Sequence, residues 1–70
     1  GRLVWRKNGQ RHRDKDKPAY IGADGSLEWY KNGQLHRVLG PAVIRADGSS
    51  GWYINNKNIT QFFHFLKYAI

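Results

Sequence analysis

The sequence predicts a mostly β fold: an antiparallel meander of tandem β-hairpin repeats followed by a short C-terminal α-helix. Three observations predict it. A motif recurs with a period of 23 to 24 residues. Two-residue turn signals sit at fixed places within that motif. An apolar stripe of helical spacing follows the last copy.

The repeat is read from the tryptophans. Trp5-Arg6-Lys7-Asn8-Gly9-Gln10-Arg11-His12-Arg13 recurs as Trp29-Tyr30-Lys31-Asn32-Gly33-Gln34-Leu35-His36-Arg37, at an offset of 24. A weaker third copy, Trp52-Tyr53-Ile54-Asn55-Asn56-Lys57-Asn58-Ile59-Thr60, follows at an offset of 23. Between them, Pro18-Ala19-Tyr20-Ile21-Gly22-Ala23-Asp24-Gly25-Ser26 recurs as Pro41-Ala42-Val43-Ile44-Arg45-Ala46-Asp47-Gly48-Ser49, also at 23. The extra residue lies in the connector 14–17. Gly1 holds the place of Gly25 and Gly48, so the chain is expected to begin inside a unit.

Each unit reads as two strands. Asn8-Gly9 and Asn32-Gly33 tolerate the positive φ that a tight hairpin turn demands at both central residues. Asp24-Gly25 and Asp47-Gly48 bring the same chemistry to the alternate turns. Strands are expected near 2–7, 10–13, 18–22, 26–31, 34–37, 41–46 and 50–55, rich in Trp, Tyr, Val and Ile. Pro18 and Pro41 lack an N–H and belong at strand starts. Alternation places Trp5, Trp29 and Trp52 in one file on one face and the tyrosines on the other.

The repeat ends at Thr60, which can cap a helix over 61–69. Phe62, Phe65, Leu66 and Ala69 form its apolar stripe, widened by Phe63 and Ile70. Residues 1–60 thus read as about two and a half hairpin units and 61–70 as an amphipathic helix capping them, in one domain. Seventy residues allow no more than one. Cysteine is absent, so no disulfide supplements the thin core. Methionine is absent too, which points to a processed N-terminus or a fragment.

The turn chemistry, the Trp-Tyr-Lys-Asn-Gly-Gln-Leu-His-Arg unit, Gly40-Pro41-Ala42 and Ala46-Asp47-Gly48-Ser49 together resemble the MORN family of repeats. The form is similar to the divergent one, with His-Arg-x-x-Gly-Pro-Ala, in small proteins of bacteriophages and large DNA viruses. The resemblance covers 1–60. Arg13 and Arg37 stand where the family has Gly after the histidine, the first connector lacks the Gly before Pro, and the third copy has Asn56 for Gly and Ile59 for His. The resemblance implies an all-β binding platform for proteins and sometimes phospholipid, with no catalysis.

Twelve Lys/Arg oppose five Asp/Glu, a net charge of +7. That balance favours anionic partners. The excess is local: Arg2, Arg6, Lys7, Arg11, Arg13, Lys15 and Lys17 face only Asp14 and Asp16 within the first 17 residues. These seven cations are the candidate electrostatic contact, set against a plainly solubilising surface. The tryptophan file is either a stacking platform for bases or the core of a thin sheet, and burial of large aromatics favours the core. His12 and His36 occupy equivalent places, which argues for a role in repeat geometry over metal binding. No acid, base or nucleophile constellation appears, so no catalytic site, metal or cofactor is expected. The helix stripe is a cap, a homodimer contact or a membrane-surface element, with only Lys67 on its polar side to serve the last. No apolar run reaches the about 18 residues of a membrane span.

The expected function is a non-enzymatic binding module. If the viral resemblance holds, it is a small protein that binds and blocks a host defence or transcription component in the host cytoplasm. An acidic protein surface ranks first as partner, nucleic acid second and phospholipid third. A structural subunit of a larger assembly is a further alternative.

Overall fold

A computed structural model describes residues 1–62. The extended stretches 3–7, 27–31 and 50–54 each contribute a short strand to two ladders. Their first halves are β1 (Leu3–Val4), β5 (Leu27–Glu28) and β9 (Ser50–Gly51). With β4 (Tyr20–Ile21) and β8 (Val43–Ile44) these form a five-stranded antiparallel sheet in the order β1-β4-β5-β8-β9. Their second halves are β2 (Arg6–Lys7), β6 (Tyr30–Lys31) and β10 (Tyr53–Ile54). Each pairs with its own return strand: β3 (Gln10–Arg11), β7 (Gln34–Leu35) and β11 (Lys57–Asn58). The expected antiparallel meander is present.

The expected strands are nevertheless broken, and the tryptophan marks the break. Trp5 N–H donates to Ala19 C=O at 2.8 Å, while Trp5 C=O accepts from His12 N–H at 3.0 Å. Trp29 repeats this with Ala42 at 2.7 Å and His36 at 3.0 Å. An uninterrupted ladder exchanges both bonds with one opposing residue. Here Trp5 and Trp29 each give their N–H to the large sheet and their C=O to the small hairpin. One continuous strand therefore belongs to two ladders, and the chain between its neighbours leaves as a connector.

The turns differ in kind. Asn8-Gly9 has φ of 53° and 77°, and Asn32-Gly33 has 51° and 81°, the doubly left-handed turn of a two-residue hairpin. Asn55-Asn56 does the same at 48° and 71°. Asparagine tolerates this region better than other non-glycine residues. The Asp-Gly turns are longer than the sequence suggests. Gly25 N–H closes a turn on Gly22 C=O at 3.0 Å, Gly22 N–H reaches Ser26 C=O at 2.8 Å, and positive φ falls on Gly25 alone in that loop. Ala23-Asp24-Gly25 is thus a three-residue loop, and Ala46-Asp47-Gly48 matches it.

The core is thin and lies along the repeat. Ala19 and Ala42 are fully buried, with Trp29, Val43 and His12 nearly so. Trp5 and Trp52 are half-buried. Of the stretch expected to be helical, only Gln61 and Phe62 are described, in a 3-10 turn over Thr60–Phe62. Phe65, Leu66 and Ala69, and with them the cap, lie outside the described residues, among which there is no α-helix. Thr60 is bonded within the third hairpin. Its hydroxyl accepts Trp52 N–H at 3.0 Å and donates to Asn58 Oδ1 at 2.6 Å.

Candidate partner-binding surface

The seven candidate cations divide into two sets. Arg2, Arg6, Lys7, Lys15 and Lys17 are exposed. Arg11 and Arg13 are half-buried and engaged within the fold. The register of the first hairpin sets Arg6 directly across from Arg11, so both lie on the tyrosine face. The Arg11 guanidinium lies 5.0 Å from the Tyr20 ring centre and 5.3 Å from that of Tyr30. It donates to Tyr30 Oη at 3.3 Å and approaches Glu28 at 3.7 Å. Tyr30 in turn donates to Glu28 at 2.7 Å. Burial, reinforced by the bond to Glu28, raises the Tyr30 hydroxyl above its ordinary pKa.

Arg13 and its repeat equivalent, Arg37, cover the tryptophans. The Arg13 guanidinium sits 3.7 Å from the Trp5 ring centre and bonds Pro18 C=O at 3.2 Å. Arg37 sits 3.8 Å over Trp29 and bonds Pro41 C=O at 3.1 Å. These are cation–π stacks, worth about 0.5–1 kcal/mol each where partly exposed. They account for the arginine that follows the histidine in both strong copies. Gly40 serves the same stack: a Cβ there would lie 2.9 Å from a terminal nitrogen of Arg37. Trp5 and Trp29 are therefore each covered by an arginine.

The first connector supplies the acids. Asp16 takes Arg37 in a fork, at 2.9 and 3.2 Å, and its C=O accepts the Trp29 indole N–H at 3.1 Å. Asp14 pairs with His12 Nε2 at 2.8 Å. That hydrogen bond holds the Asp14 carboxyl below its ordinary pKa. The connector reaches this geometry through positive φ at Lys15 and Asp16, 65° and 55°. Both acids of the N-terminal third are thus hydrogen-bonded within the chain. The sequence motif missed this bridge. The signal was present, because an arginine follows the histidine in both strong copies.

His12 and His36 lie between hairpins. His12 Nδ1 accepts Asn32 N–H at 3.0 Å, and His36 Nδ1 accepts Asn55 N–H at 3.1 Å. Both ring nitrogens of His12 are thereby used, leaving no lone pair for a metal. No cluster of three metal-ligating side chains occurs among the described residues. A groove of about 260 Å³ runs between the two connectors over Trp29. Asp14, Asp16 and Arg37 line it already bound to groups of the chain, and Val38 and Leu39 stand exposed at its rim. No helix among the described residues is long and apolar enough to cross a membrane. Compared with known proteins, the chain matches no family model, no curated relative and no solved structure.

Proposed function

We propose that this chain is a non-enzymatic binding module whose cationic end engages an acidic surface of a partner protein. One observation carries the reading. Arg2, Arg6, Lys7, Lys15 and Lys17 are exposed, while Asp14 and Asp16 are spent on His12 and Arg37. A partner's carboxylates thus meet cations whose neighbouring acids are already hydrogen-bonded. The MORN-like pattern supports the narrower reading of a small viral protein that occupies a host defence or transcription component. Nucleic acid is the second reading, since Arg11 lies against Tyr20 and Tyr30 and Arg6 stands across from Arg11. It ranks lower because the Arg11 guanidinium already lies over both rings that bases would need. Self-association through 61–70 is a separate route, motivated by the exposure of Phe62.

The test replaces Arg6, Lys7, Lys15 and Lys17 together with Gln. Arg11 and Arg13 stay, because they hold the fold. The two forms are compared for thermal stability and for capture of partners from host extract, with and without nuclease. The reading expects unchanged stability, capture of an acidic protein by wild type after nuclease, and its loss in the variant. Equal capture with equal salt dependence would place the contact elsewhere. Nuclease-sensitive capture, with a log–log salt slope of about 0.9 per phosphate contact, would favour nucleic acid instead.

A further inference from the structure

Each seam between consecutive hairpins uses the same three bonds. In the first, Asn32 N–H donates to His12 Nδ1 at 3.0 Å, Gly33 N–H to Arg11 C=O at 2.9 Å, and Arg13 N–H to Tyr30 C=O at 3.4 Å. In the second, Asn55 N–H donates to His36 Nδ1 at 3.1 Å, Asn56 N–H to Leu35 C=O at 2.8 Å, and Arg37 N–H to Tyr53 C=O at 3.1 Å. Two of the three join backbone groups that no pH change in the ordinary range alters. The third ends on an imidazole nitrogen.

We infer that His12 and His36 are acid-sensitive latches between hairpins: each must be neutral, with its proton on Nε2, for the seam to close. A peptide N–H donates in every protonation state. If Nδ1 also carries a proton, two donors face each other across about 3 Å and the bond is lost. The Asn cannot turn away to relieve this, because its φ is fixed by the tight turn it begins. Histidine is the side chain whose ordinary titration falls between about pH 5 and 8. A proton added to Nδ1 therefore works against the closed seam.

The surroundings of the two rings bear on this. The groove that both line also carries Arg13, Asp14, Asp16, Tyr30, Lys31 and Arg37. Arg13, Lys31 and Arg37 oppose a further positive charge. Asp16 is held by Arg37. Asp14 favours the imidazolium, but it binds Nε2, which carries a proton in either state. Asp14 therefore keeps its bond when His12 is protonated, and Asn32 loses its own. The prediction is selective: the seams loosen while each hairpin and the central sheet remain. It does not depend on which partner the cationic end takes.

Nuclear magnetic resonance on the intact chain tests it in two ways. Long-range nitrogen–proton spectra at about pH 7.5 should show both rings neutral and protonated on Nε2. Amide protection, corrected for intrinsic exchange, should fall about tenfold or more at Asn32 and Asn55 on going to about pH 5, the equivalent of about 1.4 kcal/mol. Protection at Gly22 and Arg45, whose bonds to Ser26 and Ser49 lie within the Asp-Gly loops, should hold. His12→Asn with His36→Asn keeps a side-chain acceptor near Nδ1 that does not titrate, and should remove the acid response. A proton on Nδ1 at neutral pH overturns the proposal outright, whether or not the variant folds. So does unchanged protection at Asn32 and Asn55, loss of all amides together, or an identical acid response in the double variant.

Discussion

The second hairpin is gripped from both sides, and the third is closed on its far side by its own residues. Around the second, Trp29 N–H goes to Ala42, the indole to Asp16, the ring to Arg37, and His36 receives the next turn. Around the third, Ile59 stands in place of that histidine and Thr60 in place of the arginine. Ile59 N–H still reaches Trp52 C=O at 2.7 Å, so the hairpin backbone is unchanged. Trp52 N–H finds the Thr60 hydroxyl where Trp5 and Trp29 find an alanine carbonyl. The difference teaches that the second hairpin is held by bonds between units, while the third replaces one of these with a bond of its own. The third hairpin offers no imidazole to a further turn.

The largest expected break in that comparison is at the tryptophans. Trp29 is 6% exposed, whereas Trp52 is half-buried. Truncating a buried aromatic to Ala costs about 3–5 kcal/mol. Small domains hold about 5–15 kcal/mol in all, so Trp29→Ala should leave little folded protein at physiological temperature. Trp52→Ala should cost less. Thermal unfolding of both variants side by side is the measurement. A larger loss from Trp52→Ala would mean that the third unit, and not the second, anchors the fold.

How much of this was legible beforehand depends on the range of the interaction. The period, the Asn-Gly turns and the antiparallel order are written in local residue types. The partner switch at each tryptophan is not, because it depends on which neighbour supplies the next acceptor. Asp16 illustrates the limit. Its sequence neighbours are Lys15 and Lys17, yet its partners are Arg37 and Trp29, brought in by the pairing of units. A count of charges along the chain does not say that Asp14 meets His12 and Asp16 meets Arg37. Charge alone likewise does not tell the stacked guanidinium groups of Arg11 and Arg13 from exposed cations such as Arg6 and Lys7. The histidines fared better, because a residue repeated at one place in each unit points to the geometry of the repeat.

A middle-sized effect sharpens the account of the third unit. Thr60→Val keeps the shape of the side chain and removes the hydroxyl. Trp52 N–H then loses this hydrogen bond, worth about 0.5–1.5 kcal/mol. Thr60→Ser should recover most of it. The expected signature is local, with faster exchange at the Trp52 amide and little change at Trp29. If Thr60→Val matches wild type in both stability and exchange, the hydroxyl does not finish the array.

The smallest effects lie in the loops that lead into the second and third units. Asp24 Oδ1 accepts Ser26 N–H at 2.9 Å. Asp47 Oδ1 accepts Ser49 N–H at 2.9 Å and the Ser49 hydroxyl at 2.7 Å. Hydrogen bonds from these serines hold both carboxyls below their ordinary pKa, led by the backbone donor at Asp24 and by the hydroxyl at Asp47. A carboxyl whose pKa is lower folded than unfolded stabilises the fold above the unfolded value, about 3.9, and that help is lost as pH falls through the folded value. The loops should therefore weaken only below about pH 4. Carboxyl carbon shifts followed through an acid titration separate the two sites. Ser49→Ala should move the Asp47 midpoint upward and leave Asp24 in place, because only the loop into the third unit loses a donor. A shift at both positions would mean that the loops communicate through the sheet between them. No shift at either would mean that the backbone N–H alone sets the carboxylate, and the two loops would then be equivalent despite the extra hydroxyl bond at Asp47.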